Sequence, residues 1–197
     1  WSLVQLAVSY AALANGETVH TPRLVARVET WDGELVEAHP PAEGTPIGLD
    51  PAAIARVRQA LAEVVNAPGG TGGRARLPDV VVAGKTGTTQ VVSLDLVKDL
   101  EPEEVPIRYR DHALFGAFAP ADAPEIAVAV LVEHAGSGGG TVAAPIARAV
   151  LARYFEKQRA RLESPEPEAE SDGEAEGEEA EAGAVVALLP EPGRSRW

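Results

Sequence analysis

Three strand-length apolar stretches fall close together in this chain: VVVAGKTGTTQVV over 80–92, HALFGAFAP over 112–120 and EIAVAVLVEH over 125–134. The last two are separated only by Ala121-Asp122-Ala123-Pro124, a turn short enough to require an antiparallel hairpin. VAAPIARAVLARYFEKQRARL, 142–162, follows with helical periodicity. Ile146, Val150, Leu151, Tyr154 and Phe155 share its apolar face, and Arg148, Arg153, Lys157, Arg159 and Arg161 lie mostly outside it. An apolar sheet and an apolar helix stripe must each be covered, and laying one on the other covers both. The expected fold class is therefore α+β: residues 80–92, 112–119 and 125–134 form one antiparallel sheet, with helix 142–162 packed across it.

The first half supplies more helix and a hairpin. Leu3, Leu6, Ala7, Tyr10, Leu13 and Ala14 recur at helical spacing within 2–16, and Asn15-Gly16 stops the helix. RLVARVET (23–30) and the LVEA that begins at Leu35 flank the turn Trp31-Asp32-Gly33-Glu34, a β-hairpin pattern. HPPAEGTPIG reads as loop. Asp50-Pro51 caps and opens a helix to about Asn66, with Ile54, Val57, Leu61, Val64 and Val65 on its apolar face. APGGTGGRARLPD reads as a flexible loop, and 93–111 is a charged connection whose local structure the pattern leaves open.

Charge divides the chain in two. The formal net charge is −13, but residues 163–181 hold ten acidic residues and no basic one, which leaves about −3 for the remainder. The reading is a body over 1–162 and an acidic, disordered tail over 163–197 that cannot offset its own ordering entropy. AVVALLP, 184–190, is taken as an apolar stretch within that tail. There is no basic stripe and aromatic residues are only 5%, which argues against nucleic-acid binding. The absence of cysteine excludes disulfides and thiolate metal sites, and His20, His39, His112 and His134 show no ligand spacing. Asp111 and His112 enter the strand after the lysine stretch and could line a cleft rim, but ordinary strand-end residues are the better reading. GSGGG (136–140) fits a flexible turn feeding the last helix better than a substrate loop. No segment is long and apolar enough to span a bilayer. The chain contains no methionine and opens on Trp1, so the expectation is the C-terminal part of a longer protein.

Lys85 stands in the middle of the apolar stretch 80–92, and Lys98 and Lys157 are the only other lysines. An ammonium in such a segment is costly unless something pairs with it. A phosphate-binding loop would need glycine where Asp79 stands, and Val91-Val92 follow where its helix should begin. An incidental lysine snorkelling out of a core strand is the commoner situation. Gly84 and Gly87 weaken that reading, because glycine within a strand often marks close backbone approach to a ligand. Strand alternation places Thr86 and Thr88 on one side and Lys85 and Gly87 on the other. Two hydroxyls and an ammonium can then border one cleft and hold a carboxylate, while a backbone N–H after the glycine can serve a developing oxyanion.

VAGKTGTTQVVS resembles the Lys-Thr-Gly strand of penicillin-binding proteins. RDHALFGAFAPADAPEIAVAVLVEHAGSGGGTVAAPIARAVLARYF is similar to the strand-turn-strand and final helix that follow it in class B transpeptidases, and WSLVQLAVSYAALANGETVHTPRLV to the helix that precedes it. The resemblance covers about residues 1–156. TGTTQVVS and RDHALF lean toward the elongation-type branch, penicillin-binding protein 2, with bifunctional class A enzymes as the nearer miss. The resemblance implies the C-terminal portion of a penicillin-binding, serine β-lactamase-like transpeptidase fold. It implies a peptidoglycan D,D-transpeptidase: a serine attacks a D-Ala-D-Ala stem peptide, D-alanine leaves, a neighbouring strand's amine takes the acyl group, and β-lactams acylate the same serine. Matched residues give Lys85 the charge and proton traffic near the nucleophile, Thr86 and Thr88 the substrate carboxylate, the Thr88 N–H half of an oxyanion hole, and Gly87 close approach. The implied partners are peptidoglycan stem peptides, β-lactams and other cell-wall elongation proteins. No cofactor is implied, and the implied location is a bacterial inner membrane with the domain facing the periplasm.

The family also needs Ser-x-x-Lys and Ser-x-Asn. Ser2, Ser9, Ser93, Ser137, Ser164, Ser171 and Ser195 fit neither motif. The chain is therefore expected to be inactive by itself. The alternative is a non-catalytic peptidoglycan-binding or scaffold module of the wall-synthesis machinery.

Overall fold

The computed structural model describes residues 1–163 and, as backbone, residues 182–188. Helix α1 spans Leu3–Asn15. Ser2 opens it with a reciprocal capping box: its hydroxyl accepts from the Gln5 N–H, and the Gln5 side chain accepts from the Ser2 N–H. Gly16, at φ 78°, closes it in the left-handed conformation that glycine adopts without penalty.

Four short strands follow. Strands β1 (Thr18–Val19), β2 (Arg27–Glu29), β3 (Leu35–Ala38) and β4 (Thr45–Pro46) form two antiparallel pairs, β1 with β4 and β2 with β3. The second pair is the expected hairpin. The first was not expected, since 39–48 reads as loop, and it is only two residues long. Helix α2, Pro51–Asn66, begins as the sequence implies: the Asp50 carboxylate accepts from the Ala52 N–H and Pro51 occupies the first turn. It buries Ile54 and Val65.

The main sheet contains β5 (Ala83–Thr89), β6 (His112–Ala119) and β7 (Ile126–Val132), followed in sequence by helix α3 (Ala143–Glu163) and strand β8 (Ala182–Leu188). Its order is β5-β6-β7-β8, with every neighbouring pair antiparallel. The expected adjacency of β5, β6 and β7 holds, and α3 lies within one residue of its expected bounds at either end. Two boundaries need correction. The lysine strand is shorter than 80–92, because its partner β6 pairs only from Ala83↔Phe118 to Thr89↔His112. Residues 182–188, read as an apolar stretch in a tail, form the fourth strand. The physical reason is that β7 offers a full edge of backbone donors and acceptors, and AGAVVAL carries no charge to oppose pairing. Residues 164–181 and 189–197 of the expected tail lie outside the described residues.

Period-two alternation sends the sheet's side chains to two separate cores. On one face Phe115, Ala117, Val128 and Val130 pack with Ala143, Ala144, Ala147 and Leu151 of α3. On the other, Ala83, Phe118 and Ala127 pack with Ala11 and Ala14 of α1. Burying a side chain such as Phe115 or Leu151 contributes about 1.5–3 kcal/mol. The alanines matter by being small, since they let both helices approach the sheet closely. Gly116 continues that logic: a methyl group there would stand 2.2 Å from the Tyr10 ring. Tyr10 packs directly over the strand backbone, and burial raises its phenol pKa above the ordinary tyrosine value.

Candidate active-site cleft

Strand β5 lies at an edge of the sheet, so one side of the Lys-Thr-Gly segment faces outward rather than another strand. The segment enters from the core: Val82, Ala83 and Gly84 are buried, Thr86 and Gly87 are half-buried, and Lys85, Thr88 and Thr89 are exposed. Lys85 therefore avoids the desolvation that an apolar segment would impose. Its ammonium donates to the Thr86 carbonyl at 2.9 Å and lies 3.4 Å from Thr86 Oγ1. The Lys85 and Thr86 side chains leave opposite faces of the strand, yet the long lysine stem folds back until their polar ends meet.

Thr86 Oγ1 also lies 3.1 Å from Thr71 Oγ1. Thr71 belongs to the glycine-rich segment after α2, which is not the flexible loop the sequence suggests. The Gly72 N–H bonds to the Val64 carbonyl at 2.9 Å, the Gly70 N–H bonds to that of Ala67 at 3.1 Å, and Gly73–Ala75 form a 3-10 turn. The segment is thus folded back onto the end of α2.

Beside these residues is an open cavity of about 550 Å³. Its walls are Gly70, Thr71, Gly73 and Arg74 from this segment, Thr86, Gly87 and Thr88 from β5, and Gly138–Thr141 from the turn before α3. Thr86, Gly87 and Thr88 are thereby brought to one cleft. Lys85 is not on its wall but adjoins it through Thr86. Arg74 is the charged residue on the wall. It donates to the Thr141 carbonyl at 3.2 Å and so ties two walls together.

The turn before α3 can line the cleft because it is made of glycine. A methyl group on Gly139 would stand 1.9 Å from the Leu114 carbonyl oxygen and 3.0 Å from the Gly87 nitrogen. One on Gly140 would stand 2.3 Å from the Thr71 carbonyl oxygen. These distances correct the reading of GSGGG as a mere flexible turn. The sequence signal in both segments is the run of glycines, since glycine suits close backbone approach.

His112, read as a strand-end residue, also makes a specific contact with His134. Their rings meet edge to face with centroids 4.8 Å apart, and the His134 N–H donates to His112 Nδ1 at 2.9 Å. This contact joins β6 to the residues just past β7, opposite Thr89, without lining the cavity.

Chemically, the cleft presents hydroxyls, backbone and a guanidinium at an exposed edge, with an ammonium beside it. Such a set suits an anionic ligand.

A family model described as the penicillin binding protein transpeptidase domain matches residues 1–152. The peptidoglycan D,D-transpeptidase MrdA of Salmonella typhimurium is 38% identical over 159 residues, covering 79% of this chain and 25% of the relative. Among solved structures, the D,D-transpeptidase domain of a peptidoglycan glycosyltransferase from Eggerthella lenta aligns with a TM-score of 0.62 at 27% identity, over 80% of this chain and 32% of that one. Pseudomonas aeruginosa PBP2 in complex with WCK 5153 aligns with a TM-score of 0.57 at 35% identity, over 78% and 30%. The chain spans about a quarter of the length of the curated relatives it matches.

Proposed function

Since the chain belongs to the penicillin-binding protein transpeptidase family, we propose that it carries the Lys-Thr-Gly portion of a peptidoglycan D,D-transpeptidase of the elongation type. The observation that carries this reading is the convergence of Lys85, Thr86 and Thr88 at the open edge of β5, beside a cavity whose charged wall residue is a cation.

The reaction divides between this chain and a nucleophile-bearing segment. A serine Oγ attacks the carbonyl carbon between the two D-alanines. The C–N bond breaks, and D-alanine departs with a proton on its amine. An amine from a neighbouring stem peptide then attacks the resulting ester, forming a new amide and returning the serine. None of the seven serines here has lysine three residues on, so the serine comes from outside these 197 residues. In this division Thr86 and Thr88 hold the terminal carboxylate, and charge-assisted hydrogen bonds are the strong kind. The Lys85 ammonium assists proton movement around the nucleophile. The Thr88 N–H supports the oxyanion, and a donor of that type contributes roughly a hundred- to a thousand-fold in rate. Gly87 lets the substrate backbone lie against the strand.

Stem peptides are the substrate, β-lactams are substrate mimics, and other wall-elongation proteins are the partners this role requires. The corresponding location is the periplasmic side of a bacterial inner membrane. Among the described residues no helix is long and apolar enough to cross a membrane, so the anchor would also come from elsewhere in the protein.

A labelled β-lactam tests this reading. The 197-residue chain should remain unlabelled, because acylation needs an activated nucleophile. A polypeptide that joins it to a Ser-x-x-Lys segment of this fold should label on that serine. Lys85→Ala in the joined protein should slow labelling by roughly a hundredfold or more. Labelling of the 197-residue chain at one of its own serines would overturn the division of the site. A joined protein that never labels would favour the non-catalytic wall-binding module.

A further inference from the structure

We infer that Thr71 is a positioning residue that sets the direction of the Thr86 hydroxyl, and so decides whether Thr86 can donate to a bound carboxylate. The inference rests on the assignment of Thr86 to carboxylate recognition. A hydroxyl has one proton to give and two lone pairs to receive. Around Thr86 Oγ1 stand Lys85 Nζ at 3.4 Å and Thr71 Oγ1 at 3.1 Å. An ammonium can only donate, so the lysine addresses a lone pair. The contact with Thr71 can run either way. If Thr86 donates to Thr71, its single proton is already committed and an incoming carboxylate meets a lone pair. If Thr71 donates, both lone pairs of Thr86 are engaged and its proton is free for a ligand. A carboxylate is an acceptor only, so an anionic ligand selects the second arrangement.

Thr71 is suited to this because it does not move freely. The N–H groups of Gly70 and Gly72 on either side of it bond back to the end of α2. Arg74, three residues on, holds the Thr141 carbonyl. Gly140 lies so close that a methyl group there would stand 2.3 Å from the Thr71 carbonyl oxygen. The hydroxyl is thus presented to Thr86 by a fixed backbone.

The test uses the protein that holds both this chain and the nucleophile segment, with two probes: a β-lactam bearing its carboxylate, and the same β-lactam with that group converted to a carboxamide. Thr71→Val keeps the shape of the side chain and removes the hydroxyl. It should weaken capture of the carboxylate probe roughly three- to tenfold, the loss of one hydrogen bond, while the limiting acylation rate stays near wild type. Thr71→Ser should restore capture. With the carboxamide probe, the deficit of Thr71→Val should shrink toward none. Melting temperatures check that the variants are folded, and Thr71→Ala takes the place of Thr71→Val should the latter unfold. Capture by the hydroxyl-free variant equal to wild type, an equal loss with both probes, or a Thr71→Ser variant as poor as Thr71→Val would each overturn the inference and leave the transpeptidase reading standing. Wild-type protein that neither probe acylates would overturn both.

Discussion

Thr86 and Thr88 are two residues apart on one strand and share a face, yet they are held differently. Thr86 is half-buried, with an ammonium and a second hydroxyl at its oxygen. Thr88 is exposed, and a methyl group on Gly138 would still be 3.5 Å from its hydroxyl, so the turn leaves room above it. That difference separates their roles: Thr86 is oriented by the protein, whereas Thr88 is open to ligand. In the acylation-competent protein, Thr88→Val should weaken capture of carboxylate-bearing substrates by about 1.5–3 kcal/mol, the range for a hydrogen bond to a charged group. The backbone N–H at this position survives the substitution, so the limiting acylation rate should change much less. Single-turnover acylation at varied substrate concentration separates the two quantities. A loss confined to the limiting rate would mean that the hydroxyl does not bind the carboxylate. Lys85 shows what residue-level reading reaches by itself. Its isolation among apolar residues singles it out, and Gly84 and Gly87 beside it weaken an incidental role. Its exposure could not be read, because that depends on where the edge of the sheet falls.

Among the elements, those with a pattern of their own were legible. Strands β6 and β7 are nearly continuous apolar runs on either side of a short connection, α1 and α2 announce themselves by spacing and caps, and α3 by spacing. Strand β5 was found but drawn too long, since a strand ends where its partner ends, and nothing in Val80 or Val91 reports the length of β6. The cavity walls were the harder part. APGGTGGRARLPD and GSGGG look alike in sequence whether they move freely or pack backbone to backbone, and only the neighbouring strand decides. Gly139 makes the distinction measurable. A methyl group there would collide with the Leu114 carbonyl, which is backbone and cannot swing aside. Gly139→Ala should therefore lift the turn from β5, destabilise the domain by about 1–3 kcal/mol as overpacking does, and, in the protein that also holds the nucleophile segment, lower β-lactam acylation along with it. Thermal melting and labelling of the same preparation check both. A variant that melts and labels like wild type would show that the turn is free to move.

At the scale of the whole molecule the unusual feature is the far edge of the sheet. β5 leaves one edge of the sheet open beside the cavity. An equally open β7 would present the backbone groups of seven residues, Ile126–Val132, as a template for another chain. Strand β8 covers that edge in register from Ile126↔Leu188 to Val132↔Ala182, and it does so from beyond an acidic run. Separation of this kind is why the pairing is not legible in the sequence: seven uncharged residues after a charged stretch carry no local mark of a partner fifty or more positions earlier. The consequence is that β8 should keep the chain monomeric. Replacing residues 182–188 by an equal length of glycine and serine removes the strand-forming side chains. It alters no charge, since none of the seven is ionisable, so electrostatic repulsion from the acidic run stays in place. Sedimentation velocity should then show concentration-dependent association that the parent chain lacks, and the melting temperature should fall because β7 loses its outer neighbour. If the replaced chain instead sedimented as a monomer and melted with its parent, β8 would not be what protects the edge.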